Sequence, residues 1–200
     1  MTVAKISGEQ LFENQVVWIT GASSGIGEAL AKAFAGSGAR VVLSARNVAE
    51  LQRVQTECLA AGAVQDAYGR IDMLINNAGT SQRSFCLETE LQVYRTLFEL
   101  NVIAQIALTK AVLPVMVEQG SGHILVTASV AGKVGAPLRT GYCAAKHAVM
   151  GFFDSLRTEV AHLGIKVSTI VPGFIRTNIG ANALTGTGAR TGVEDADIEA

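Results

Sequence analysis

The segment Val16 to Gly27, VVWITGASSGIG, constrains this 200-residue chain more than any other. Its first five residues, mostly β-branched or aromatic, have the composition of a strand buried on both faces. They run into three glycines spaced G-x-x-x-G-x-G, and a helical pattern follows at once through Ile26, Ala29, Leu30, Ala33 and Phe34. A strand that turns on glycines into a helix N-terminus presents free backbone N–H groups and a partial positive charge, which is where a phosphate binds well. Gly21 suits the tight turn, Gly25 the close approach of a pyrophosphate, and Gly27 the packing of helix on strand, with Ser23, Ser24 and Ile26 in the same loop. A lone glycine pattern is weak evidence; its position between strand and helix is what points to a nucleotide.

The rest of the chain repeats the alternation. Val41 to Leu43, Ile71 to Ile75, Ile124 to Thr127 and Ile165 to Val171 read as strands. Val48 to Leu59, Leu91 to Glu118 and Tyr142 to His162 read as helices, the second kinked at Pro114 or divided before it. Alternating strand and helix predicts an α/β fold: a Rossmann-type, doubly wound parallel sheet in three layers, α/β/α. Composition agrees, with 49% hydrophobic and 16% charged residues. A net charge of -1 supplies no basic field for nucleic acid or anionic lipid. No apolar run reads as long enough to span a membrane, and no signal pattern stands in Met1 to Asn14. Cys58, Cys86 and Cys143, odd in number and without paired spacing, predict neither disulfides nor a zinc site and suit a reducing, cytoplasmic setting. His123, His147 and His162 lack metal-ligand spacing, so no metal is expected.

Three further features carry chemistry. Arg46 follows the second strand, where an adenosine ribose would lie; a basic rather than acidic residue there favours a 2′-phosphate, hence NADP(H) over NAD(H). A solvated arginine at a helix start is the plainer reading. Tyr142 and Lys146 stand one helical turn apart on one face, so the ammonium can favour the phenolate and make a usable acid or base near neutrality. Ser129 closes the fourth visible strand, and strand carboxyl ends border the ligand crevice of such sheets.

With these residues in place the chain resembles the short-chain dehydrogenase/reductase family, in the branch with chains of about 250 residues. Four blocks carry the resemblance: Thr20 to Gly27; Asn76-Asn77-Ala78-Gly79; Ser129 with Tyr142 and Lys146; and Pro172-Gly173 with Thr177. The resemblance implies hydride transfer between NADP(H) and a carbonyl or secondary alcohol. Tyr142 is then the general acid or base, Lys146 depresses its pKa and holds the nicotinamide ribose, and Ser129 donates to the substrate oxygen. Asn101 would bend its helix and bind a water of the proton relay. Asn77, Ala78 and Gly79 would line the adenosine side and steady the central strand. Pro172, Gly173, Ile175 and Thr177 would contact the nicotinamide end. A small-molecule substrate with an apolar body, its pocket shaped by Leu138, Arg139 and Ala181 to Leu184, and a homodimer or homotetramer are also implied. The stripe Val149, Phe152, Phe153, Leu156, Val160 reads as core or subunit contact, and Gly151 within it as a point of close helix approach. Residues 1–200 then form a single NAD(P)-binding domain, with 183–200 a flexible flap or terminus. The alternative is a non-catalytic nucleotide sensor or scaffold that kept the fold.

Two parts of the family pattern are missing. Only Val64 to Ile71 separates the second helix from the third visible strand, too few residues for another strand and its crossover, which alone takes a dozen or more. The strand expected at the far edge, near the C-terminus, is not visible either. The first absence leaves Val41 to Leu43 as an apolar sheet edge, which soluble proteins generally cover or charge. That favours a segment of the natural sequence missing at Ala63–Val64 over a chain that is simply short.

Overall fold

The computed structural model describes residues 11–60 and 69–193; the Ala63–Val64 junction lies outside them. Five parallel strands form one sheet in the order β2-β1-β3-β4-β5: β1 Val16–Thr20, β2 Arg40–Ser44, β3 Met73–Asn76, β4 Gly122–Thr127 and β5 Ile165–Ile170. Helices α1 (Gly25–Gly36) and α2 (Val48–Ala60) follow β1 and β2. The long stretch between β3 and β4 holds α3 (Leu91–Phe98) and α4 (Ala104–Gln119), and α5 (Thr140–Val160) precedes β5. The order reverses direction beside β1 and β3, so the carboxyl ends of these two strands flank the crevice where ligands bind in such sheets.

Strand alternation sorts the core into two layers. Val17, Ile19, Met73 and Ile75 face α1 and α2, meeting Ala31, Ala35, Val54 and Cys58. Leu74, Ile124 and Val126 face the other way, onto Val112 and Met116 of α4 and Val149, Phe153 and Leu156 of α5. Phe153 and Leu74 are fully enclosed, each contributing about 1.5–3 kcal/mol by leaving water. Most of the anticipated stripe on α5 is therefore core. A Cβ built at Gly151 meets nothing within 4 Å, so this glycine marks no close approach among the described residues.

The helical run from Leu91 to Gln119 is divided at a π-turn, Glu99–Ile103, and not at Pro114, which α4 accommodates. The cause is Asn101. Its side-chain amide donates to Thr80 O at 3.0 Å and accepts from Thr80 N at 3.1 Å, pulling the helix toward the loop after β3. By length and composition this run could cross a membrane, contrary to the sequence reading. Buried Asn101, Gln105 and Thr109 punctuate it and bond into the loop and strand beneath: Gln105 Nε2 donates to Ala78 O, and Asn76 Nδ2 to Thr109 Oγ1, both at 2.9 Å.

Strand β2 pairs with β1 alone, and among the described residues no strand pairs with its outer edge. Ionic contacts fasten α2 to α1 nearby: Arg53 bridges Glu28 of α1 to Glu50 and Glu57 of its own helix, and Lys32 joins Glu28 to Glu57. Residues 183–193 lie along the loop after β3: Leu184 N donates to Ser81 O, Arg83 N to Leu184 O and Glu90 N to Gly186 O.

Candidate active site

The glycine loop takes the shape its spacing suggested. Gly21 and Gly25 have φ of +65° and +58°, conformations that a side chain would strain. A Cβ on Gly21 would lie 2.9 Å from Ala78 Cα, and one on Gly27 only 2.3 Å from the Gly21 carbonyl oxygen. Strand β1, helix α1 and the loop after β3 thus meet at van der Waals limits. Ser24 is the N-cap of α1 in extended conformation, and its side chain makes no capping bond. Gly25 and Ile26, in the first turn of α1, line a cleft of about 340 Å³ with Ala29, Leu30, Ile175, Arg176 and Thr177, its wall mostly apolar. Backbone donors, a helix dipole, glycines and Arg176 are a donor set that fits a dinucleotide's phosphates.

Thr20, which the sequence did not single out, organises the floor. Its hydroxyl accepts from Asn77 N and Ala78 N, both at 3.0 Å, and lies 3.3 Å from Ile75 O. Asn77 Nδ2 returns to Thr20 O at 3.1 Å, and Asn77 Oδ1 accepts from Thr127 Oγ1 at 3.1 Å. Asn77 therefore ties the ends of β1, β3 and β4 together.

On the other side of the crevice, Lys146 is 3% exposed and its Nζ donates to Thr127 O at 2.7 Å. Burial pulls its pKa down to about 8. The ammonium stands 5.8 Å from the centre of the Tyr142 ring, one turn earlier on α5. Tyr142 is buried with Ala131 and Cys143 against Ala136. Ser129 lies two residues beyond the end of β4 rather than closing it, as N-cap of a short 3-10 turn, Val130–Gly132. Its Oγ accepts from Ala131 N at 3.1 Å, so the hydroxyl proton remains available to donate. Gly132, another residue with no signal in the pattern, lets this turn lie on α5: a Cβ there would be 2.9 Å from the Lys146 carbonyl oxygen. A Cβ on Gly79 would meet Asn101 Oδ1 at 2.7 Å and Lys146 Nζ at 3.8 Å, which brings Asn101 into the same neighbourhood.

The segment after β5 closes over the crevice. A Cβ on Gly25 would touch the Thr177 methyl at 3.1 Å, and Pro172 O accepts from Val130 N at 3.1 Å, joining the two loops that border the site. Phe174 is largely exposed, and Ile175 is half-exposed where it lines the cleft. Arg46 is exposed just past β2, beside the glycine loop, where Ala22 N donates to Ser44 O.

A parallel sheet with helices on both faces and a glycine turn at the carboxyl end of its first strand defines a Rossmann-type dinucleotide-binding fold. The chain belongs to the short chain dehydrogenase family, whose model matches residues 15–63 and 59–187. It is 46% identical to human dehydrogenase/reductase SDR family member 7 over 204 positions, covering 89% of this chain and 60% of that relative's length. Among solved structures, a short chain dehydrogenase/reductase from Burkholderia phymatum in complex with NAD superposes with a TM-score of 0.80 at 31% identity, over 84% of this chain and 69% of that one. A chain from Beutenbergia cavernae carrying bound NADP does so with a TM-score of 0.80 at 29% identity, over 87% and 78%. The 204 aligned positions exceed the 89% of 200 residues that they cover here, so the human relative carries residues inside the matched region that this chain lacks. The family match itself falls into two ranges that overlap at residues 59–63, beside the Ala63–Val64 junction.

Proposed function

We propose that the chain is an oxidoreductase preferring NADP(H), acting on a carbonyl or secondary alcohol attached to an apolar body. The observation that carries this is the enclosed Lys146 ammonium 5.8 Å from the Tyr142 ring, with Ser129 on a turn packed against the same helix. The cofactor, when bound, supplies or accepts the hydride. The glycine loop and the N-terminus of α1 hold its phosphates, with Ile175 and Thr177 closing over it. Arg46 offers a guanidinium to a 2′-phosphate. Ser129 donates to the substrate oxygen as negative charge develops there, and Tyr142 delivers or removes the proton. Lys146, largely protonated below pH 8, favours the phenolate form of Tyr142. Asn101 braces the loop after β3 through Thr80, and both it and Lys146 border Gly79, so this reading gives it a place in the proton relay. A cytoplasmic homodimer or homotetramer belongs to this reading, and Ile103 and Val117, exposed on the long helical run, suit a subunit contact.

The missing strand-helix pair favours a second reading, a nucleotide-binding scaffold without turnover. Titration with NADPH and NADH followed by a carbonyl panel separates the two. The first reading expects tighter NADPH binding, measurable reduction, and loss of at least about 100-fold in kcat for Tyr142→Phe with NADPH affinity retained. Firm dinucleotide binding with no turnover of any carbonyl refutes it.

A further inference from the structure

The helix that carries Tyr142 is gripped at its start by a residue the proposed mechanism does not use. An α-helix has no internal partner for its first backbone N–H groups. In α5 the backbone bonds begin with Cys143 N donating to Arg139 O at 2.8 Å, and the N-cap residue makes no capping bond through its side chain. The Gly141 N–H, immediately before Tyr142, is taken by Gln82 Oε1 at 2.8 Å. Both residues are buried, Gln82 completely.

The Gln82 carboxamide is fixed in this orientation. Its Nε2 lies 3.1 Å from Thr89 Oγ1 and 3.2 Å from Ser84 Oγ. Thr89 gives its hydroxyl proton to Phe85 O at 2.7 Å, so Ser84 Oγ, 2.7 Å away, is the donor to Thr89. Both hydroxyl oxygens thus turn lone pairs to Nε2, and a flipped amide would set N–H against N–H at Gly141. The same loop catches the chain again three residues upstream, where Ser84 N donates to Leu138 O at 3.0 Å. Leu138 has φ +62°, a left-handed conformation that leucine seldom adopts. From behind, the loop is tied to residue 184: Leu184 N donates to Ser81 O at 2.9 Å and Arg83 N to Leu184 O at 2.8 Å. The contact leaves no slack, since a Cβ on Gly141 would meet Tyr94 Cδ1 at 2.7 Å, Leu97 Cδ1 at 2.8 Å and Gln82 Oε1 at 2.9 Å. Lys146, one turn further along α5, has a separate tether to Thr127 O.

We propose that Gln82 is a positioning residue for Tyr142: by holding the Gly141 N–H it sets the first turn of α5, and with it the reach of the phenol. Its consequence for rate rests on the oxidoreductase reading; the placement of Tyr142 does not. A misplacement of about 1 Å at a reacting group can cost about 100-fold in rate.

The test joins kinetics to a titration of the phenol, both on the whole chain. With para-nitrobenzaldehyde and NADPH, Gln82→Met is expected to lower kcat at least about tenfold while the KM for NADPH stays within about twofold. Gln82→Glu keeps an acceptor for Gly141 N and should recover most of that loss. Near-ultraviolet absorbance, with the Tyr142→Phe protein subtracted, follows ionisation of Tyr142 without any substrate. In Gln82→Met that ionisation should move up by at least about half a pH unit as the phenol leaves the Lys146 ammonium. Should Gln82→Met fail to fold, Thr89→Val decides: it removes one acceptor of Nε2 and should lower kcat about threefold, with Thr89→Ser recovering it. Unchanged kcat, equal losses in the Met and Glu variants, a matching rise in the KM for NADPH, or an ionisation curve identical to wild type overturns the proposal. A wild-type chain that reduces no carbonyl refutes the oxidoreductase reading, and the phenol titration alone then upholds or overturns the role of Gln82. Turnover that is indifferent to Gln82→Met leaves the oxidoreductase reading standing and refutes the positioning role.

Discussion

Replacing Gly27 by alanine tests whether the glycine loop is set by packing or merely by sequence habit. Inside a helix this exchange ordinarily stabilises by about 1 kcal/mol, because alanine has less freedom to lose. Here the new Cβ would fall 2.3 Å from the Gly21 carbonyl oxygen and 2.6 Å from Asn77 Nδ2. Neither neighbour can yield cheaply. Gly21 is fixed at φ +65° beneath Ala78, and Asn77 is bonded to Thr20 and Thr127. Forcing them apart costs about 1–3 kcal/mol of overpacking, plus about 1 kcal/mol for each hydrogen bond of Asn77 that opens. The net expectation for Gly27→Ala is a loss of about 1–3 kcal/mol. Gly36, in the last turn of the same helix, has nothing within 4 Å of a built Cβ, so Gly36→Ala should gain up to about 1 kcal/mol. Urea unfolding at constant m-value measures both, and NADPH titration should show weakened binding for the first variant only. A Gly27→Ala protein as stable as the wild type would refute the close-contact argument and with it the rigidity ascribed to the phosphate loop.

Two further outcomes follow from the same network. Thr20→Val keeps the side-chain shape but leaves the N–H groups of Asn77 and Ala78 without their acceptor, a loss of about 2–4 kcal/mol by urea unfolding; Thr20→Ser should recover most of it, and a loss below about 1 kcal/mol for valine would contradict the assignment. Burial depresses the Lys146 pKa from 10.5 unfolded to about 8 folded, so holding the charged form costs stability below pH 8 and that cost fades as pH rises from 8 to 10.5. Wild type should therefore gain on Lys146→Met across that window, by about 3 kcal/mol at most, and a difference independent of pH would remove the buried-charge reading.

The local patterns were legible because local chemistry dictates them. Val16 to Thr20 could only be an interior strand, Gly21 to Gly27 only a turn into a helix, and the missing crossover after α2 followed from counting residues. Tyr142 and Lys146 share a face by helical spacing alone. Other features had no local signature. Thr20, Thr127, Gln105 and Gly132 look like ordinary residues until β1, β3, β4 and α5 are brought together, because their partners lie far away along the chain. The break in the long helical run was open to two positions until Thr80 met Asn101. The run is apolar enough by length to cross a membrane, but its buried Asn101, Gln105 and Thr109 dock it on the loop and strand beneath, which only the packing shows.

Sequence by itself determined the order of strands and helices, the glycine turn into α1 and the spacing of the phenol and ammonium, since each depends on neighbours within a few bonds or one helical turn. Only the tertiary structure decided that Lys146 is enclosed and bonded to Thr127, that Asn77 clamps three strand ends, and that Gln82 meets Gly141 at the start of α5. The reason is physical: burial, dielectric and hydrogen-bond partnership are properties of which distant segments meet, and only packing fixes that.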